Sequence, residues 1–287
     1  MQSQQKFKPR YSFEFFPPKT DEGWKKLQKE RDELAKRKPD FFSVTYGAGG
    51  STRERTIDTV LQLHRQGIST APHLSCIGST KEAMDDLLTL YKNEGIQRIV
   101  ALRGDLPSGM GSSGAFRYAS DLVRHIREHS GQHFLIEVAA YPEFHPQAPS
   151  ASKDVGFFKQ KVECGANSAI TQYFYNIDAY FSFIDECEKQ GIDIPVVPGI
   201  MPITNYSKLA RFSDMCGAEI PRWIRSKLEG YGDDSESIMK FGEEVVSSLC
   251  ERLIQAGAPG LHFYTLNQAA PSLAIWDNLG LKSPIEF

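Results

Sequence analysis

Arg98-Ile-Val-Ala-Leu102 and Phe134-Leu-Ile-Glu-Val-Ala-Ala140 are short, nearly continuous apolar runs. A strand with one wet face alternates polar and apolar residues, whereas a run without alternation is buried on both faces, as in a parallel sheet covered by helices. Working outward, β-rich runs also occur at 12–16, 41–45, 70–76, 169–174, 194–199 and 260–265, eight in all. The stretches between them switch to a helical period. Trp24, Leu27, Arg31 and Leu34 share one helical face, as do Ile57, Val60, Leu61 and His64, and Ala83, Leu87, Leu90 and Tyr91. Tyr180, Phe183, Ile184 and Cys187 form a fourth stripe, and Ile238, Phe241, Val245, Leu249 and Leu253 the longest. Eight strand–helix units in 287 residues predict an α/β chain closed into a (β/α)8 TIM barrel. No Pro/Gly/Ser-rich linker divides it, so residues 11–287 read as a single domain behind a polar, flexible tail at 1–10. Residues 215–237 are expected to add one helix before the last long one.

Composition narrows the function classes. The chain is 40% hydrophobic and 24% charged with a formal net charge of -3, which is ordinary for a soluble protein and gives no reason to expect nucleic acid or an anionic membrane as partner. Its five cysteines are odd in number and include no C-x-x-C pair, which argues against a disulfide framework or a zinc site and for a reducing cytoplasm. No run approaches the ~18 apolar residues of a membrane span, and the first ten residues lack a signal-peptide core.

Barrel active sites form at the C-terminal ends of the strands, so the polar residues there are the candidates. The first run ends Ser12-Phe-Glu-Phe-Phe-Pro-Pro18. Alternation sets Glu14 opposite Phe13 and Phe15, pointing into the barrel. Burial there raises a carboxyl's pKa and suits it to general-acid work; a structural ion pair is the alternative. The second run leads to Gly47, Gly49 and Gly50 before Ser51 and Thr52, a close-approach loop or simply a capped turn. His73 in the third run reads as a core histidine or a ligand-facing one. Arg103 and Asp105 bracket Gly104 at the fourth tip, as a polar cofactor contact or a bracing ion pair. Gly109-Met-Gly-Ser-Ser-Gly114 matches G-x-G-x-x-G, but its first glycine does not come directly off the strand as a dinucleotide fingerprint requires. Tyr141, Glu143 and His145 follow the fifth run, with too few ligands for a metal. Gln172 offers an amide at the sixth, Tyr206 an aromatic face after the seventh, and the eighth reads as aromatic packing. Carboxylates, amides and aromatics without a metal cluster or a nucleophile–base pair favour a bound organic cofactor.

The ordered segments 12–18 (Ser-Phe-Glu-Phe-Phe-Pro-Pro), 43–48 (Ser-Val-Thr-Tyr-Gly-Ala), 71–77 (Ala-Pro-His-Leu-Ser-Cys-Ile), 99–105 (Ile-Val-Ala-Leu-Arg-Gly-Asp), 139–146 (Ala-Ala-Tyr-Pro-Glu-Phe-His-Pro), 169–175 (Ala-Ile-Thr-Gln-Tyr-Phe-Tyr), 197–205 (Val-Pro-Gly-Ile-Met-Pro-Ile-Thr-Asn) and 262–267 (His-Phe-Tyr-Thr-Leu-Asn) together resemble the methylenetetrahydrofolate reductase family. The resemblance runs from Tyr11 to Gly280. It implies an oxidoreductase of one-carbon metabolism and methionine biosynthesis: a barrel holding non-covalent FAD, which NADH or NADPH reduces and which then passes hydride to 5,10-methylenetetrahydrofolate, giving 5-methyltetrahydrofolate. The family's catalytic Glu falls on Glu14, which helps protonate folate N10, and its flavin-edge aspartate on Asp105. Gln172 matches the folate-contacting Gln; Tyr206 stands where relatives can carry a substrate-stacking Phe. The FAD matches are Thr45, His73, Arg103, Gly104, Asp105, Tyr118, Ala119, Tyr141, His145, Asp154 and Lys161. Gln160 stands where some relatives have Arg, with Lys161 beside it to compensate. The resemblance further implies a cytoplasmic homo-oligomer, and the chain's end soon after the eighth unit reads as a bacterial-type enzyme without S-adenosylmethionine control. Competing readings are another flavin barrel of the proline dehydrogenase kind, a lyase on the same fold and an inactive binding scaffold.

Overall fold

The computed structural model describes residues 1–46, 53–104 and 114–281. The chain opens with α1 (Gln2–Gln5) and β1 (Arg10–Phe15), then runs α2 (Asp21–Ala35), β2 (Phe41–Val44), α3 (Arg53–Arg65), β3 (Thr70–Ser75), α4 (Lys81–Asn93), β4 (Arg98–Leu102), α5 (Ala119–Ser130), β5 (Leu135–Ala140), α6 (Ala151–Glu163), β6 (Ser168–Thr171), α7 (Ile177–Lys189), β7 (Val196–Val197), β8 (Gly199–Ile200), α8 (Tyr206–Cys216), α9 (Arg222–Tyr231), α10 (Ser235–Gln255), β9 (Gly260–Tyr264) and α11 (Ala269–Asn278). All strand pairings are parallel, in the order β7-β6-β5-β4-β3-β2-β1-β9-β8.

The seventh expected strand is broken in two at Pro198, which has no N–H to donate. β7 pairs with β6 and β8 with β9, so one segment joins the two ends of the sheet into a nearly closed barrel. Gly199 makes the junction possible. A Cβ there would lie 2.2 Å from the Thr171 carbonyl oxygen and 2.6 Å from the Tyr264 ring. In that space the Gly199 N–H donates to Thr171 Oγ1 at 2.9 Å and the Tyr264 hydroxyl to the Thr171 carbonyl at 2.7 Å.

Side chains alternate across the barrel wall. Phe13 and Phe15 face out and are fully buried with Phe42, Phe263 and Trp276 beneath the helices. The inner face carries a small apolar cluster of Phe41, Ala71, Val100 and Ile170. Below it, Arg98 of β4 pairs with Glu137 of β5, and Ser168 of β6 donates to the same carboxylate. The Arg98 guanidinium lies 4.6 Å from the centre of the Phe41 ring. This charged floor was not legible in the sequence, because its members come from different strands.

Two expectations are corrected. Residues 1–10 do not trail free: Gln4 is 1% exposed, accepts the Val196 N–H at 2.8 Å and donates to the Ile194 carbonyl at 3.3 Å. The tail docks because β7 has an open N–H that a glutamine amide can satisfy. The insertion after the seventh strand holds two helices, not one. α9 falls within 215–237 as expected, but α8 begins earlier, capped by Asn205, whose side chain accepts the Lys208 N–H at 2.9 Å.

Candidate active site

Register places Glu14 beside Ser43 of β2 and Tyr264 of β9. The residue is buried, with 10% of its side chain exposed. Oε2 lies 3.3 Å from His73 Nε2 and 3.5 Å from His262 Nε2. Burial pushes the Glu14 pKa up, but the His73 charge and contacts to both imidazoles outweigh it and hold the carboxyl down at about 2. The expectation of a raised pKa is therefore corrected: neighbours along β1 are apolar, while those across the barrel are basic. Neither Nε2 makes an aligned hydrogen bond among the described residues. His262 is fully buried, and its Nδ1 lies 2.7 Å from Ser12 Oγ. The end of β9 clasps β1. Thr265 Oγ1 donates to the Glu14 carbonyl at 2.6 Å, and the Asn267 amide pairs with both backbone groups of Phe16.

A cavity of about 700 Å³ opens at the C-terminal ends of β4 and β5, between α5 and α6. Of the expected cofactor residues, Arg103, Gly104, Tyr118, Ala119, Tyr141, His145, Asp154 and Lys161 line it, as does Gln160. Gly104 has φ +85°, and a Cβ would sit 1.9 Å from Ser75 Oγ, so only glycine lets the β4 exit lie this close to β3. The Arg103 guanidinium meets the Gln147 amide oxygen. The Asp121 carboxylate accepts the N–H groups of Arg117 and Tyr118, which fixes the start of α5. Asp154 Oδ2 accepts the His145 N–H at 2.9 Å, and the His145 ring meets Tyr141 edge-on at 4.6 Å. Lys161 is half-buried. Its ammonium donates to the Ala139 carbonyl at 2.5 Å, and no carboxylate lies within ion-pair distance among the described residues. Burial lowers its pKa to about 8, against the charge of Asp154. A desolvated cation of this kind gains from an anionic ligand.

The remaining expected residues are placed elsewhere. Thr45 and His73 sit apart from this cavity, His73 against Glu14. Thr45 Oγ1 is buried without a hydrogen-bond partner among the described residues. Gln172 lies in a small adjoining cleft that shares Tyr141, and its Oε1 accepts the Tyr173 N–H at 3.0 Å. Tyr206 lines neither space; its hydroxyl donates to Glu229 Oε1 of α9 at 2.8 Å. Asp105 and the loop glycines Gly47, Gly49, Gly50, Gly109 and Gly111 lie outside the described residues. The sequence reading missed Ser12 and His262, although their period-two spacing with Glu14 and Tyr264 puts them on the inner face. It also missed Arg117 and Phe157 on the cavity wall.

Among the described residues no three His, Cys, Asp or Glu side chains are grouped to hold a metal, and no helix is long and apolar enough to cross a membrane. All five cysteines are free.

The profile of the family described as methylenetetrahydrofolate reductase matches residues 1–280. The 5,10-methylenetetrahydrofolate reductase of Escherichia coli K12 is 43% identical over 272 residues, covering 94% of this chain and 90% of that one. A rice protein named probable methylenetetrahydrofolate reductase (NADH) is 41% identical over 94% of this chain but 48% of its own length. Among solved structures, a Clostridium thermocellum protein that binds two copies of 5-methyl-5,6,7,8-tetrahydrofolic acid superposes with a TM-score of 0.67 at 16% identity, covering 97% and 96% of the two chains. That likeness shows a shared fold.

Proposed function

The chain belongs to the methylenetetrahydrofolate reductase family of oxidoreductases, and on that premise we propose that it is an FAD-dependent enzyme reducing 5,10-methylenetetrahydrofolate to 5-methyltetrahydrofolate at the expense of NADH or NADPH. The observation that carries this reading is the convergence of eight expected cofactor residues on one cavity at the C-terminal ends of β4 and β5.

The residues present fit FAD. Gly104 keeps the exit of β4 close against β3 at the cavity wall, Lys161 is a half-buried cation with no carboxylate within ion-pair distance among the described residues, and the Thr45 hydroxyl is buried and unsatisfied among the described residues. Lys161 and Arg103 would hold the diphosphate. Tyr118, Ala119, Tyr141, His145 and Asp154 would shape the walls, and Thr45, His73 and Asp105 would approach the ring system. Bound there, FAD would supply the two-electron relay between nicotinamide and folate. Gln172 would orient the flat pterin through its amide. Glu14, ionised at rest, would take a proton at Oε2 from His262 or His73 and deliver it to folate N10. Ser12 fixes His262 for that task through the Nδ1 contact. Asp105 would add negative charge near the cationic one-carbon unit. Tyr206 would have to leave Glu229 to stack on the substrate. The same reading carries a cytoplasmic homo-oligomer serving methionine biosynthesis.

The test is reconstitution. Purified protein, with FAD added if needed, should show a flavin absorption band that NADH or NADPH bleaches and that 5,10-methylenetetrahydrofolate restores, with 5-methyltetrahydrofolate as product. No flavin band after adding FAD, or bleaching without folate turnover, would overturn it.

A further inference from the structure

Two of the large hydrophobic side chains that stay exposed line the cavity: Tyr118 is 44% exposed and Phe157 41%. They come from different elements, Tyr118 at the start of α5 and Phe157 within α6. Their rings are nearly parallel, with centroids 6.4 Å apart and planes inclined by 14°. The Arg117 guanidinium carbon lies 5.3 Å from the centre of the Tyr118 ring. A pair kept for packing would be covered; leaving over two-fifths of each residue wet forfeits a large part of the burial that stabilises an aromatic.

The layout of α6 explains what the pair can meet. Asp154, Phe157 and Lys161 follow at i, i+3 and i+7, so one stripe of the helix faces the cavity. Along it, exposed Phe157 stands one turn from half-buried Lys161. A ligand spanning this stripe meets an aromatic platform at one end and a cation at the other. That complements a flat heterocycle joined to phosphate. Gln160, on the same wall, is neutral.

We propose that Phe157, with Tyr118, is the platform on which the adenine of FAD stacks, and that Phe157 makes this chain select the dinucleotide over FMN. This rests on the FAD reading above and names the residue that recognises the cofactor's distal half. Phe157 is a binding residue here; it touches no reacting atom.

The experiment is a titration of flavin-free protein with FAD and with FMN, followed by quenching of flavin fluorescence. Phe157→Ala should weaken FAD about tenfold, the order expected for loss of one base–aromatic stack, and leave FMN binding unchanged. Phe157→Tyr should retain FAD binding. An equal loss for FAD and FMN would make Phe157 structural and overturn the proposal. So would unchanged FAD affinity, or a rise confined to the KM for NADH, which would assign the platform to the nicotinamide substrate. If the unmutated protein binds neither flavin, the cofactor reading falls first and this proposal with it; if it binds FAD and Phe157→Ala does too, only this proposal falls.

Discussion

Glu14→Gln separates the two halves of the proposed reaction. The carboxylate stands between His73 and His262 at 3.3 and 3.5 Å and is held at about 2. At pH 7 a carboxyl with that pKa is protonated in about one molecule in 10⁵, and loading a proton onto it costs about 7 kcal/mol. Glu14 therefore cannot store the proton that folate N10 needs. On the proposed function it would receive it from a neighbouring imidazole as the substrate arrives, and glutamine could not relay it. Loss of a positioned acid typically costs about 10²–10⁴ in rate. Gln matches Glu in volume and still offers an amide to His73 and His262, so the fold should hold. In anaerobic stopped-flow, flavin bleaching by NAD(P)H should be close to unchanged in the variant, while reoxidation by 5,10-methylenetetrahydrofolate slows by about 10²–10⁴. His262→Gln should slow the same half-reaction, and the double variant should add little, because the two residues act as one unit. Equal loss in both half-reactions would make Glu14 structural. An undiminished folate half-reaction would refute the proton argument outright.

The low Glu14 pKa also sets an acid limit. Its folded value lies below the ordinary 4.5, so its contribution is present above pH 4.5 and lost as pH falls toward 2. Between those limits the wild type should lose about 3 kcal/mol of stability that Glu14→Gln does not lose, and parallel acid-titrated melts that coincide would count against it. Glu137→Ala strands the Arg98 guanidinium in the barrel floor and should cost about 3–5 kcal/mol in denaturant melts, most of it recovered by also replacing Arg98 with Met; equal losses in the single and double variants would sink the idea. Gly104→Ala meets both φ +85° and Ser75 Oγ at 1.9 Å, so it should cost more than about 1 kcal/mol and weaken FAD binding; wild-type FAD affinity in that variant would show that the β4 exit is not held as described.

The sequence by itself determined the alternation of strands and helices, the parallel barrel and the end of it where the candidate site is sought. Those features follow from local periodicity, which each segment carries alone. RIVAL at 98–102 needs no partner to read as a doubly buried strand. The ordered motifs also named residues from Arg103 to Lys161 that the fold gathers around one cavity. Only the tertiary structure decided what Glu14 is. Its pKa depends on His73 and His262, which stand 59 and 248 positions along the chain and meet it because β3 and β9 flank the same mouth. The break of the seventh strand at Pro198 and the docking of Gln4 under β7 are likewise settled by closure, which leaves backbone groups that only distant partners satisfy. Electrostatics and close approach are functions of distance in space, and period along the chain fixes only which face a residue takes.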